Sequence, residues 1–153
     1  MLATLRSTPF APAAADLAVE LAVETAAALV VVDVVDAPAG RARRIDPGPA
    51  PPAAAALRRP AERAAAAGLP ATMLRVRAPR PIAALVELVG ETAPAIVLLG
   101  SDPARLSRLR HLSPRAYRRA ARVLEQRTSC LLWRADGEPR ACDARRIRVP
   151  ILR

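Results

Sequence analysis

The chain has 153 residues, an apolar fraction of 52%, an aromatic fraction of 2% and a formal net charge of +10. That length fits one domain with a core of its own, and with so few rings the core must be built from Ala, Val, Leu and Ile. The longest apolar run, 26–32, is far short of the ~20 residues that cross a bilayer, and MLATLRSTPF has no apolar stretch behind a basic start, so neither a membrane span nor a secretory leader is expected and a cytoplasmic location is the default.

Residues 1–6 read as a first strand, and Ser7-Thr8-Pro9 carries helix-cap chemistry. Residues 13–27 read as a helix with Leu17 and Leu21 on one face and Glu20 and Glu24 on another, exposed one. The run 28–35, ALVVVDVV, is rich in β-branched residues and fits a strand buried on both faces. Asp33 interrupts it, and its side chain is expected to reach the strand's end or to pair with a neighbouring arginine. Residues 36–52, DAPAGRARRIDPGPAPP, read as a mobile loop. An Ala-rich helix follows over 53–68, with a break or a late start at Pro60 and a C-cap at Gly68-Leu69-Pro70.

Residues 72–77, TMLRVR, alternate as a third strand, and 81–93 form a helix with Ile82, Leu85, Val86 and Val89 on one stripe. Residues 95–99 are a fourth strand. Ser113 caps a helix with Pro114 in its first position, running to about 128. Residues 130–133 are a fifth strand, and 137–153 a Pro/Arg-rich tail. The order β-α-β-α-β-α-β-α-β implies a three-layer α/β/α domain over 1–136 with an open, five-stranded parallel sheet. Residues 146–152 are the candidate for an additional C-terminal edge strand. Sheets of this kind bind ligands beyond the carboxyl ends of the strands, at the switch point. Arg6, Val34 and Gly100 fall at or near three such ends.

All 24 basic residues are arginine. Residues 1–100 hold 10 of them against 9 acids, and residues 101–153 hold 14 against 5, so the positive field belongs to the last third and favours anionic partners. The last helix carries Arg115, Arg118, Arg119 and Arg122, and three of them (115, 118 or 119, and 122) recur at i, i+3/4, i+7 as a basic stripe that could meet a duplex backbone, but only Tyr117 interleaves them, and a solvated face is the reading preferred. Cys130 and Cys142 form no metal or redox motif; a buried thiol and an incidental one are expected. His111 is the one histidine, with no nucleophile implied beside it. No paired carboxylates and no zinc-ligand spacing occur, so neither catalysis nor a metal is expected.

In the stretch AIVLLGSDPARLSRLRHLSP, a strand runs into Gly100, and Pro103 and Ser113-Pro114 follow. These positions have the spacing of a phosphate-cradling loop, G-x2-G-x9-G-[ST], with only the first glycine kept. The segments ADLAVELA before ALVVVDVVD, AAAAGLPATMLRVRAP, PIAALVELVGETAPAIVLLGS and RVLEQRTSCLLWRA stand in an order and spacing that resemble the universal stress protein (UspA-like) family over roughly 1–135. ATP-binding members hold adenine and ribose at an Asp ending the first strand and a Val of the second, and phosphates on the glycine loop. The resemblance puts Arg6 at the Asp position, Val34 at the Val position, Gly100, Pro103 and Ser113 at the loop glycines and Pro114 at the loop hydroxyl.

Those replacements oppose ATP in the family pose. Proline has no N–H to donate and a fixed φ, glycines are what let backbone N–H groups approach phosphate, and Arg6 puts a cation where a carboxylate accepts. The resemblance thus implies a non-enzymatic stress-response or regulatory protein without a bound cofactor. It would act as a homodimer paired through the last strand near Cys130–Trp133 and dock on a protein partner. Two alternatives stand beside it. One is an ATP, ADP or phosphometabolite sensor in which arginines such as Arg6, Arg105 and Arg108, with Arg110 and His111, replace the glycine cradle. The other is a basic nucleic-acid-associated protein.

Overall fold

The computed structural model describes residues 1–5, 9–47, 55–100, 122–124, 126 and 131–134. Its strands are β1 (Leu2–Leu5), β2 (Leu29–Asp36), β3 (Arg44–Pro47), β4 (Ala71–Ala78), β5 (Ile96–Leu99) and β6 (Leu131–Arg134), and its helices α1 (Pro12–Glu24), α2 (Ala55–Ala66) and α3 (Pro81–Thr92). Residues 122–124 and 126 are also helical. The strands form one sheet in the order β3-β4-β2-β1-β5-β6. Every pairing is parallel except β3 on β4.

The chain leaves β1 through β2 and β4 in one direction, then returns past β1 to β5 and β6. Crossovers of one hand put helices from the two directions on opposite faces. Accordingly Ala18, Val19 and Ala22 of α1 and Leu57 and Ala64 of α2 pack with Leu2, Val31 and Leu98 on one face. Ala84, Leu85, Leu88 and Val89 of α3, with Leu124, pack with Leu5, Val32, Val34, Val76 and Val97 on the other. Among the described residues the buried hydrophobic core is aliphatic apart from Phe10. Each fully buried Leu or Val contributes about 1.5–3 kcal/mol of transfer free energy.

Three features differ from the sequence expectations. First, the segment read as a loop supplies a strand. β3 adds to the sheet antiparallel at the edge, with Asp46 Oδ2 3.2 Å from Arg77 Nε of β4; cross-strand pairing gives it an order its own Pro/Gly/Arg context does not encode. Second, α2 runs through Pro60 without a break. The proline removes one helix hydrogen bond, but Leu57, Pro60 and Ala64 are buried on one stripe and hold the helix to the sheet. Third, α1 is capped by Ala11 and begins at Pro12 with no side-chain cap. The Ala11 N–H instead donates to Gly100 O at 2.8 Å. The cap expected at Ser7 and Thr8, the helix start at Ser113, the tail 137–153 and the extra strand at 146–152 lie outside the described residues.

The helix C-termini show what local sequence conveys. α2 ends as expected in a Schellman motif: Gly68 has φ +79, its N–H donates to Ala65 O (2.9 Å), and the Leu69 N–H donates to Ala64 O (3.1 Å). α1 ends in the same motif, with Ala26 N–H to Val23 O (3.2 Å) and Ala27 N–H to Ala22 O (3.0 Å), but the left-handed residue is Ala26, φ 49. An alanine Cβ in that region costs energy that glycine avoids. Ala26→Gly is therefore expected to raise stability by about 0.5–1 kcal/mol, read as a higher urea midpoint at unchanged m. A lower midpoint would show that Ala26 is not strained.

Candidate functional site

The direction of the chain reverses at β1, so the switch-point crevice lies between the carboxyl ends of β1 and β5. Gly100 is its floor on the β5 side. The Gly100 N–H donates to Ala3 O at 2.9 Å, and its carbonyl accepts from Ala11 at the start of α1. A Cβ at Gly100 would meet Leu2 Cδ1 at 2.8 Å, Phe10 Cδ1 at 3.0 Å and Ala14 Cβ at 3.3 Å. Its φ is not in the left-handed region. Thus the glycine is required by the close seat of α1 on the sheet, and its one N–H is committed to the β-ladder.

Val34 lies in β2 between Leu5 of β1 and Val76 of β4. Its side chain is fully buried in the α3-facing core. Of the sequence-selected site positions, Val34 and Gly100 are described. Arg6, Pro103, Arg105, Arg108, Ser113 and Pro114 lie outside the described residues, as do Arg110, His111 and Cys130.

Beside the crevice, a polar row crosses four strands in register: Thr4 of β1, Asp33 of β2, Arg75 of β4 and Asp46 of β3. Thr4 and Asp33 are both fully buried. Asp33 Oδ2 accepts from Arg75 Nη2 at 3.1 Å, and the Arg75 side chain is 15% exposed. The pairing expected for Asp33 is thus present, and Glu20 and Glu24 are exposed as read. At the end of the row, Asp46 holds two further arginines, Arg44 through Nε at 2.6 Å and Arg77 through Nε at 3.2 Å. Arg75 and Arg77 share a face because they are two residues apart in a strand. That R-x-R alternation is visible in the sequence; the Asp46 carboxylate that holds Arg77, in a segment that reads as loop, is not.

The segment 37–43 arches from β2 to β3 over the ends of β2 and β4. The Ala37 N–H donates to Ala78 O at 2.9 Å, and Gly40 turns the chain at φ +83. Arg43 pins the arch to α3, with Nη2 2.6 and 2.8 Å from the two Glu91 carboxylate oxygens and Nη1 3.7 Å from Glu87 Oε2. Among the described residues no group of three or more His, Cys, Asp or Glu side chains could hold a metal, and no helix is long and apolar enough to cross a membrane.

The universal stress protein family model matches residues 2–114, which contain β1 through β5 and the whole switch-point crevice. The chain belongs to the universal stress protein family. The mostly parallel sheet with helices on both faces is the α/β architecture the resemblance implied. No individual curated protein and no solved structure matches the chain. In the described part of this crevice the Gly100 N–H is bonded to Ala3 O, and the Val34 side chain is buried in the α3-facing core.

Proposed function

We propose that this universal stress protein is a non-catalytic stress-response and regulatory protein that does not hold ATP in the family pose and works as a homodimer docked on a protein partner. The observation that carries the first part is Gly100. Its space is filled by Leu2, Phe10 and Ala14, and its N–H is spent on Ala3. With proline at 103 and 114, serine at 113 and arginine at 6, four of the positions that would grip a nucleotide offer the wrong chemistry.

The dimer reading rests on the sheet edges. At one edge β3 carries Arg44 and Asp46 and ends in Pro47, and edge charges and proline are devices that block strand-to-strand association. The other edge among the described residues is β6, LLWR, paired to β5 alone. Association by sheet extension is thereby directed to β6, with Trp133 in that strand as anchor. Trp133→Asp is expected to convert dimer to monomer in sedimentation equilibrium. A variant that stays dimeric at low concentration rules the edge out.

The nucleotide part is tested by titrating ATP and ADP calorimetrically into freshly purified protein and assaying a denatured sample for released nucleotide. Neither saturable heat nor released nucleotide is the expected result. One site per chain would instead establish the arginine-based sensor. Nucleic acid released by high salt would establish the third reading.

A further inference from the structure

The arch 37–43 and the strand it leads into have no role in the switch-point crevice, yet with the end of β4 they enclose a cleft of about 460 Å³. Its charged walls are Asp36, Arg41, Arg44, Asp46 and Arg77. That volume is within the range of small-molecule sites, and the cleft lies at the carboxyl ends of β2 and β4, where sheets of this class bind ligands.

The charge arrangement selects the ligand. Three guanidinium groups face two carboxylates, so the cleft carries an excess positive charge. Arg44 and Arg77 are both held through Nε by the same Asp46 carboxylate. A guanidinium engaged at Nε still has Nη hydrogens to donate, and the shared carboxylate keeps two such groups at one wall. Arg41 lines the same cleft from the arch, is exposed, and makes no ion pair with a described residue. Asp33 leaves the group apart because Arg75 answers it beneath the α1–α2 layer.

We infer that this cleft is an oxyanion site for the phosphate group of a small phosphorylated metabolite, with Arg41, Arg44 and Arg77 as its donors. A phosphate monoester fits better than a carboxylate, because three separate arginines line the space and a dianion with three terminal oxygens can engage all of them, whereas a carboxylate brings one charge and two oxygens. Asp46 is a positioning residue that orients Arg44 and Arg77. The site is separate from the nucleotide crevice at Gly100 and does not depend on whether ATP binds there.

The test is a titration of the full-length, 15N-labelled protein with inorganic phosphate, followed by amide and arginine Nε resonances. Saturable shifts confined to 36–46 and 76–78, in the millimolar range, are expected. Arg41→Ala is expected to weaken binding about 10-fold, and Arg41→Ala with Arg77→Ala to weaken it by about 100-fold or abolish it, since each charge-assisted contact is worth a factor of roughly ten. Arg41 is exposed and outside every core cluster, so the single variant keeps its fold and reads binding alone. An absence of saturable shifts, shifts centred on 99–100 and the start of α1, or an affinity unchanged in the double variant would each overturn the site. Equal affinity for acetate would overturn its assignment to phosphate.

Discussion

Asp33→Ala is expected to cost about 3–5 kcal/mol, the range for removing one partner of a buried ion pair. Asp33 has no solvent exposure, and Arg75 keeps only 15% of its side chain in water. Deleting the carboxylate leaves a guanidinium that can neither lose its proton nor swing freely into solvent from a central strand. The loss should appear as a fall in urea midpoint with little change in m. Asp33→Val combined with Arg75→Leu removes both charges and is expected to recover most of the stability, because an apolar pair needs no desolvation of ions. A loss below about 1 kcal/mol in Asp33→Ala would mean that the pair behaves as a surface ion pair, and the argument for a buried polar row would fail.

That row also explains which parts of the fold were legible in the sequence. The element order, the buried β2 and the arginine partner for Asp33 follow from β-branched runs, alternation and the cost of an isolated buried charge, all local signals. So does the α2 terminus, because Gly68 is the residue type that tolerates φ +79. The equivalent terminus of α1 reads in sequence as helix to residue 27, because Ala26 carries no sign of a left-handed turn; the motif is set by where the chain must enter β2. β3 was missed for the same kind of reason. Arg44-Ile45-Asp46-Pro47 has no strand signature of its own, and its order comes from Arg77 and Val76 on β4. Pro60 illustrates the converse, a strong local signal overridden by burial of Leu57 and Ala64.

The functional region was legible to a smaller degree. Sequence spacing singled out Gly100 as a phosphate-loop remnant, whereas the geometry gives it a packing duty. The two duties have different signatures. A glycine kept for a phosphate nest needs a free N–H and often a positive φ; a glycine kept for packing needs only the absent Cβ. Gly100 has its N–H bonded to Ala3 and three side chains around the missing carbon. The information that decides between them comes from Leu2, Phe10 and Ala14, all distant in sequence from residue 100, and no local pattern announces it. The Arg41, Arg44 and Arg77 cleft was hidden likewise, since its residues come from an arch and two strands joined by antiparallel pairing.

Gly100→Val is expected to be the most damaging single substitution at the crevice. The Cβ alone meets Leu2 Cδ1 at 2.8 Å and Phe10 Cδ1 at 3.0 Å. Neither can yield easily: Leu2 has no exposure and Phe10 has 8%, so both sit in packed surroundings. Overpacking of this kind costs about 1–3 kcal/mol for a methyl, which is the expectation for Gly100→Ala, and the two further methyls of valine push it beyond that range. The strain is expected to act on the junction that fixes α1, where the Ala11 N–H reaches Gly100 O and Ala14 lies 3.3 Å from the added carbon. Hydrogen exchange should therefore quicken first at Ala11 and in the opening turn of α1, while α3 on the opposite face keeps its protection. Leu2→Ala, introduced beside Gly100→Ala, should recover part of the loss relative to the sum of the two single variants, because it vacates the space the new methyl needs. Strict additivity of the two, or a Gly100→Ala variant as stable as the parent, would remove packing as the reason for the glycine and return Gly100 to the list of residues awaiting a ligand.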